Sequence, residues 1–319
     1  MLKLSARIEI TGEKKWVFEK ITACEIVRDS DALTTTCKLT LPRKVKWQGE
    51  TSNPIRRGDK ISVWLGYDDN LQLAFSGYVL RKGFKAPIEI FCEDEMFMLK
   101  QTPCVKKSYK NVDIQTLLKD QNLPYDIKVL GKQNIGQYRA NFETVAELLA
   151  HLKENNIRTF FRIENDKPVL YCGVLFDHGN EMRQVFATGV NIISDSSLDE
   201  QNAEDVKIKL KVVSLQPDNK KKTKVEVGDA DGEKRTLHCY GMTEAEAKAW
   251  GEQELERLKR DGLTGSFQTF GHVLLDVLDV IGVKIDGERK GKYQVAKNTI
   301  TFGSGGFRQD ITLGARAAE

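Results

Sequence analysis

Apolar and polar residues alternate with a period of two along most of the chain. The alternation is strictest between Arg57 and Asp94. Ile61, Val63 and Leu65 are interleaved with Ser62, Trp64 and Gly66; Leu71, Leu73, Phe75 and Val79 follow on one face, then Ile88, Ile90 and Cys92. Such alternation predicts three half-buried antiparallel strands. Tyr67-Asp68-Asp69-Asn70 supplies the first turn, with residues that bond their own backbone or tolerate left-handed angles. Gly77 takes an inward slot without a side chain, which predicts a bulge or tight bend there. A small, strongly bent sheet of this kind is expected to close into a barrel.

The same period opens the chain. Leu2, Leu4, Ala6, Ile8 and Ile10 share one parity. Trp16 and Phe18, then Cys24 and Ile26, then Thr35, Cys37, Leu39 and Leu41 continue it. Residues 43–56 are a basic, turn-rich loop. Residues 1–102 are therefore predicted to be one small barrel. After Glu95 the period lengthens. Glu95 to Lys100 reads as a short helical turn, and Asn111 as the cap of a helix carrying Ile114, Leu117 and Leu118. Ile127-Lys128-Val129 is strand-like. Thr144 and Glu147 form a capping box ahead of Val145, Leu148, Leu149 and Leu152, which share one helical face, and Asn155-Asn156 closes that helix. Thr159–Ile163 and Pro168–Cys172 make a hairpin, so residues 103–175 read as an α/β insert.

Strands return after Gly189. Val206, Ile208, Leu210 and Val212 alternate with Lys207, Lys209 and Lys211, and 217–236 is a polar excursion. Thr243 and Glu246 cap a long helix at about 243–260 with Ala247, Trp250, Leu255 and Leu258 inward; Asp261-Gly262 stops it. The end of the chain then echoes its beginning. Asp279–Val283 matches Asp59–Val63, Gly291-Lys292-Tyr293 matches Gly77-Tyr78-Val79, and Asp310–Leu313 matches Ile88–Ile90. Residues 176–319 are predicted to be a second barrel. The fold class is α+β, mainly β: two related small antiparallel β-barrels joined by an α/β insert domain.

Composition narrows the function. A chain of 319 residues is too long for one ordinary core. With 49 basic and 46 acidic residues the net charge is +3, which gives no global argument for nucleic acid. The six cysteines (Cys24, Cys37, Cys92, Cys104, Cys172, Cys239) have no CxxC spacing and read as reduced thiols made in a cytosol. The opening stretch has no secretory core, and no run reaches the ~18 apolar residues of a membrane span.

Glu93, Asp94 and Glu95 cluster at a strand end and could be acid/base carboxylates. Sequence neighbours rarely converge on one substrate atom, so a solvated strand-to-helix junction is the expectation. Asp229-Ala-Asp231-Gly232 starts like a calcium loop but lacks the later ligands; a hairpin turn is expected. His151, His178, His238 and His272 have no metal-ligand spacing, and His151 is expected to face solvent. His238-Cys239 and Asp177-His178 make no catalytic arrangement. Gly303–Gly306 precedes a strand, not a helix, so it reads as a turn and not a phosphate loop. Lys207, Lys209, Lys211, Lys220–Lys222 and Lys224 form the most basic region; phosphate contact is one reading, a solvated face the other. No catalytic residue, cofactor or metal is expected.

The layout resembles the baseplate hub proteins of contractile phage tails: the late control protein D family, the Mu-type 43 kDa tail protein, and the N-terminal part of type VI secretion spike proteins. The resemblance rests on GYDDNLQLAFSGYVLRKG, on KNVDIQTLLKDQNL followed by QYRANFETVAELLAHLKENNIRTFFRIENDKPVLYCG, and on GMTEAEAKAWGEQELERLKRDGLTGSFQTFG. It implies a homotrimer whose six barrels ring one axis, between a tail tube protein and a separate spike protein. It places the chain in the virion, in the phage tail baseplate, with DNA passing through without specific binding and no membrane insertion. Two rivals are an OB-like single-stranded nucleic-acid binder, with Trp16, Trp47, Trp64 and Tyr67 as stacking residues, and a cell-wall hydrolase using Glu93.

Overall fold

Strict alternation becomes strand in the first third of the chain: β1 (Leu4–Thr11), β2 (Lys15–Phe18), β3 (Ala23–Asp29), β4 (Thr36–Thr40), β5 (Lys60–Tyr67), β6 (Asn70–Lys82) and β7 (Glu89–Glu93). The computed structural model describes residues 2–45, 47, 53–130, 134–155, 157–173, 181–215 and 222–317. The inward set, including Ile8, Ile10, Ile26, Leu39, Val63 and Val79, merges into one core. Asp68 and Asp69 both take positive φ, so the predicted β5–β6 turn is a two-residue hairpin turn.

The insert follows: α1 (Met96–Leu99), β8 (Lys107–Asp113), α2 (Ile114–Lys119), β9 (Asp126–Leu130), β10 (Asn134–Ala140), α3 (Val145–Glu154), β11 (Arg158–Glu164) and β12 (Lys167–Gly173). Val145, Leu148, Leu149 and Leu152 of α3 are buried against Leu117, Leu118 and Leu170. The cap of α2 is Asp113, not Asn111: its carboxylate accepts from Thr116 N at 2.8 Å, while Asn111 lies within β8. β11 and β12 form the expected hairpin, and β9 runs parallel to β12.

The last third holds β13 (Met182–Ala187), β14 (Ile192–Gln201), β15 (Ile208–Leu215), β16 (Lys222–Gly228), β17 (Glu233–Tyr240), α4 (Glu244–Leu258), β18 (Gly262–Phe270), β19 (Val280–Ile285), β20 (Glu288–Gly303) and β21 (Gly306–Arg316). Thr243 and Glu246 close a full capping box on α4. β15, β16 and β17 form their own three-stranded sheet, and α4 packs on it through Ala247 and Trp250. The alternation from Ile208 to Val212 thus belongs to this side layer and not to the main sheet.

The remaining strands of both ends join one thirteen-stranded sheet. Within it the strand order is repeated. The N-terminal strands run β3-β4-β7-β6-β5-β1 and the C-terminal ones β14-β18-β21-β20-β19-β13. Neighbours are antiparallel in both sets except β13 and β19, which are parallel. Bulges recur at matching places: after Val63 and after Val283, and after Val79 and after Val295. The entry turn recurs bond for bond. Arg56 N donates to Asp59 Oδ2 at 2.8 Å, as Asp276 N does to Asp279 Oδ2. Val79 N donates to Asp59 O at 2.9 Å, as Val295 N does to Asp279 O.

Two expectations need correction. Gly77 pairs with Ile61, but Ile281 pairs with Tyr293, so the counterpart of Gly77 is Tyr293 and not Gly291. Nor is Gly77 a bulge. It pairs regularly, and the extra residue is Ala74. A side chain at Gly77 would sit 2.1 Å from Glu93 O, so its role is to let β7 approach closely.

Candidate assembly site

Strand β3, outermost on one side of the N-terminal repeat, is where the two repeats meet. It pairs antiparallel with β20 from Cys24↔Phe302 to Asp29↔Lys297, so one sheet runs from one end of the chain into the other. Beyond this pairing, the β20–β21 hairpin carries its tip into the N-terminal core. Ile300, Phe302 and Phe307 are buried there with Ile8, Leu39 and Leu65. Tyr67 Oη donates to Phe307 O at 2.9 Å, and the two rings are 5.6 Å apart. Gln72 Nε2 donates to His272 O. The hairpin is long enough for this because β20 spans sixteen residues.

Buried polar groups lock the same region. The bulge frees the carbonyl of Ala74, and Arg28 of β3 donates to it at 2.6 Å and to Leu275 O at 2.6 Å. Asp276 lies 3.8 Å from the same guanidinium. Asn298 and Gln309, both fully buried, hold the segment 270–275 through Leu275, Phe270 and Val273. Arg162 of the insert reaches Asp279 at 2.6 Å. Removing one partner from such a network leaves a buried charge or dipole uncompensated, a cost of about 3–5 kcal/mol for an ion pair.

Of the three clustered carboxylates, Asp94 and Glu95 are buried, contrary to the expected solvated junction. Asp94 accepts from Thr35 N at 2.8 Å and Met96 N at 3.0 Å, tying the segment before β4 to the start of α1. Burial pushes its pKa up to about 7 against those hydrogen bonds. Glu95 takes Lys60 at 3.2 Å and Tyr125 Oη at 2.8 Å; Glu93 takes Lys100 at 2.8 Å. Tyr125 brings the insert over Glu95, while Lys60 and Lys100 stay half-exposed at the rim.

The other candidates disperse. Asp229 holds Ile208 N and Lys259, and Asp231 holds Lys207, around the turn between β16 and β17. His151, expected to face solvent, is half-buried: it meets Tyr138 Oη at 3.0 Å, and its ring lies tilted 5.2 Å from that of Phe142. His178, Lys220 and Lys221 lie outside the described residues. No group of three or more metal-ligating side chains is found among the described residues. Lys209 pairs with Glu226. Trp16 and Trp47 pack edge to face on each other, and Tyr67 is taken by Phe307, so these rings form no common stacking platform. All six cysteines are free, and only Cys239 is not fully buried. Among the described residues no helix is long and apolar enough to cross a membrane.

With its repeated strand order, α/β insert and strand weld, the chain has a fold similar to that of solved phage tail proteins. The chain aligns over 98% of its length with 96% of a tail protein from Neisseria meningitidis, at 14% identity and a TM-score of 0.67. The prophage MuSo2 43 kDa tail protein of Shewanella oneidensis gives 97% of each chain, 16% identity and 0.59. An Escherichia coli type VI secretion component, described as similar to T4 tail proteins, gives 97% of this chain, 77% of its own, 9% identity and 0.58. No family model and no curated protein matches the sequence.

Proposed function

We propose that this chain is a non-catalytic structural hub of a phage tail or a related contractile injection machine. Residues 1–102 and 176–319 act as two tube-type barrel domains, and 103–175 as the insert between them. Three chains form a homotrimeric ring of six similar units, joining the tail tube protein to a separate spike protein in the virion baseplate. DNA passes through the ring without specific binding. The observation that carries this reading is the repeated strand order, with matching bulges and entry turns. Two similar units in one chain let three chains build a near-sixfold ring, and cyclic closure stops runaway growth. The tail-protein fold supplies the class of machine.

The test is mass in solution. Light scattering should give about 108 kDa, three times the 36.1 kDa chain. A mass of 36.1 kDa at every concentration would overturn the ring.

A further inference from the structure

The chain contains one worked example of how a hairpin tip seats on a neighbouring repeat, and it carries the parts for a second. In the N-terminal repeat the slot beside β3 and the β5–β6 turn is filled by the tip of β20–β21. The corresponding slot of the C-terminal repeat lies beside β14 and the β19–β20 turn, and is an open cavity of about 420 Å³. Its apolar wall is Leu198, Leu263 and Ile285, and Asp195, Glu200 and Asp286 line it too. Its cation, Lys290, is already paired with Glu200 and Glu288. Beyond Ile192, β14 is paired among the described residues only by β18.

The counterpart of the β20–β21 tip is the tip of β6–β7. It carries Phe84, 95% exposed, between the exposed cations Arg81 and Lys85, while Lys82 Nζ is held by the carbonyls of Asn53 and Ile55. Phe84 corresponds to Ile300, which is wholly buried in the other repeat. The register follows from two matching rows across the sheet. Arg81–Phe91–Lys38–Glu25 corresponds to Lys297–Thr312–Ser266–Ser197. Glu25 pairs with Thr301. Ser197 would then lie opposite Lys85, Leu198 opposite Phe84, and Glu200 opposite Lys82.

We propose that the β6–β7 tip of one copy of this chain seats in the β14 slot of a second copy, with Phe84 against Leu198. The occupant is a second copy because the chain already makes this contact internally, and because a basic tip meets an acidic slot. The contact is head-to-tail, and with a threefold rotation between copies its repetition closes into the ring. It deepens the ring reading above and rests on it.

Two variants test it. Phe84→Asp should raise the trimer dissociation midpoint by about thirtyfold or more, the scale for losing an aromatic anchor. A chain carrying Phe84→Cys and Leu198→Cys should oxidise to a covalent trimer, which neither single variant gives. A Phe84→Asp trimer as tight as the parent, with no covalent trimer from the double variant, overturns this contact and leaves the ring standing. A parent protein of 36.1 kDa at every concentration removes both.

Discussion

Asp94 shows how one side chain can set a pH dependence. In the unfolded chain its carboxyl ionises near pH 4; in the folded chain burial holds that event near pH 7. Below about pH 4 both states keep the proton and no penalty arises. Between about 4 and 7 only the folded state keeps it, so stability falls as pH rises, by a total on the order of 4 kcal/mol above pH 7. Asp94→Asn removes the titration while keeping an oxygen for one of the two N–H donors. The variant should therefore lose the part of the urea-midpoint decline between pH 5 and pH 7 that the parent shows; parallel declines would refute the assignment. The sequence hid this residue. Three adjacent acids read as a solvated junction, and burial depends on Thr35, which lies next to Asp94 only after folding. His151 was hidden likewise, since its partner Tyr138 comes from a strand of the insert.

Elements carry the repeat, and their small differences tell the two copies apart. The entry turn needs a left-handed residue just before its aspartate. The first copy uses Gly58, at φ +90°; the second uses Leu278, at φ +68°. A left-handed leucine costs about 1–2 kcal/mol, yet here its side chain is buried with Leu130, Phe160, Val169 and Tyr171 of the insert. Burial of a leucine is worth more than that strain, since Leu→Ala changes cost about 2–5 kcal/mol. Leu278→Ala should lose the packing and keep the strain. Leu278→Gly loses the packing but relieves the strain, offset by about 0.5–1 kcal/mol of added unfolded-chain freedom. The glycine variant should thus be no less stable than the alanine one, measured by urea midpoint; a clearly weaker glycine variant would rule out strain here. The sequence made the echo of Asp59 and Asp279 legible because that turn is short and local. It misplaced the counterpart of Gly77 because the turns are equal, two residues each, but each arm between bulge and turn is two residues longer in the first copy, which no local signal marks.

At the scale of the whole molecule the two repeats are mechanically one. The alternation of strands forecast two repeats, but not their weld, because β3 and β20 pair across most of the chain and neither carries a local mark of its partner. The same holds for the tip of β20–β21, whose Phe302 and Phe307 look like ordinary inward residues of their own repeat yet belong to the other core. The weld has a consequence for unfolding. Phe307→Ala sits in the C-terminal hairpin, and loss of a buried phenylalanine costs about 3–5 kcal/mol. Were the repeats independent, that loss would be confined to amides of β19, β20 and β21. Because Phe307 packs in the N-terminal core and β20 completes the β3 edge, opening the hairpin exposes both sides at once. Native-state hydrogen exchange of Phe307→Ala should therefore show Ile8, Ile61 and Val63 losing protection together with Val283, Val295 and Ile311, each by about the same free energy. Unchanged protection at Ile61 and Val63 beside lost protection at Ile311 would mean that the shared sheet does not couple the two ends.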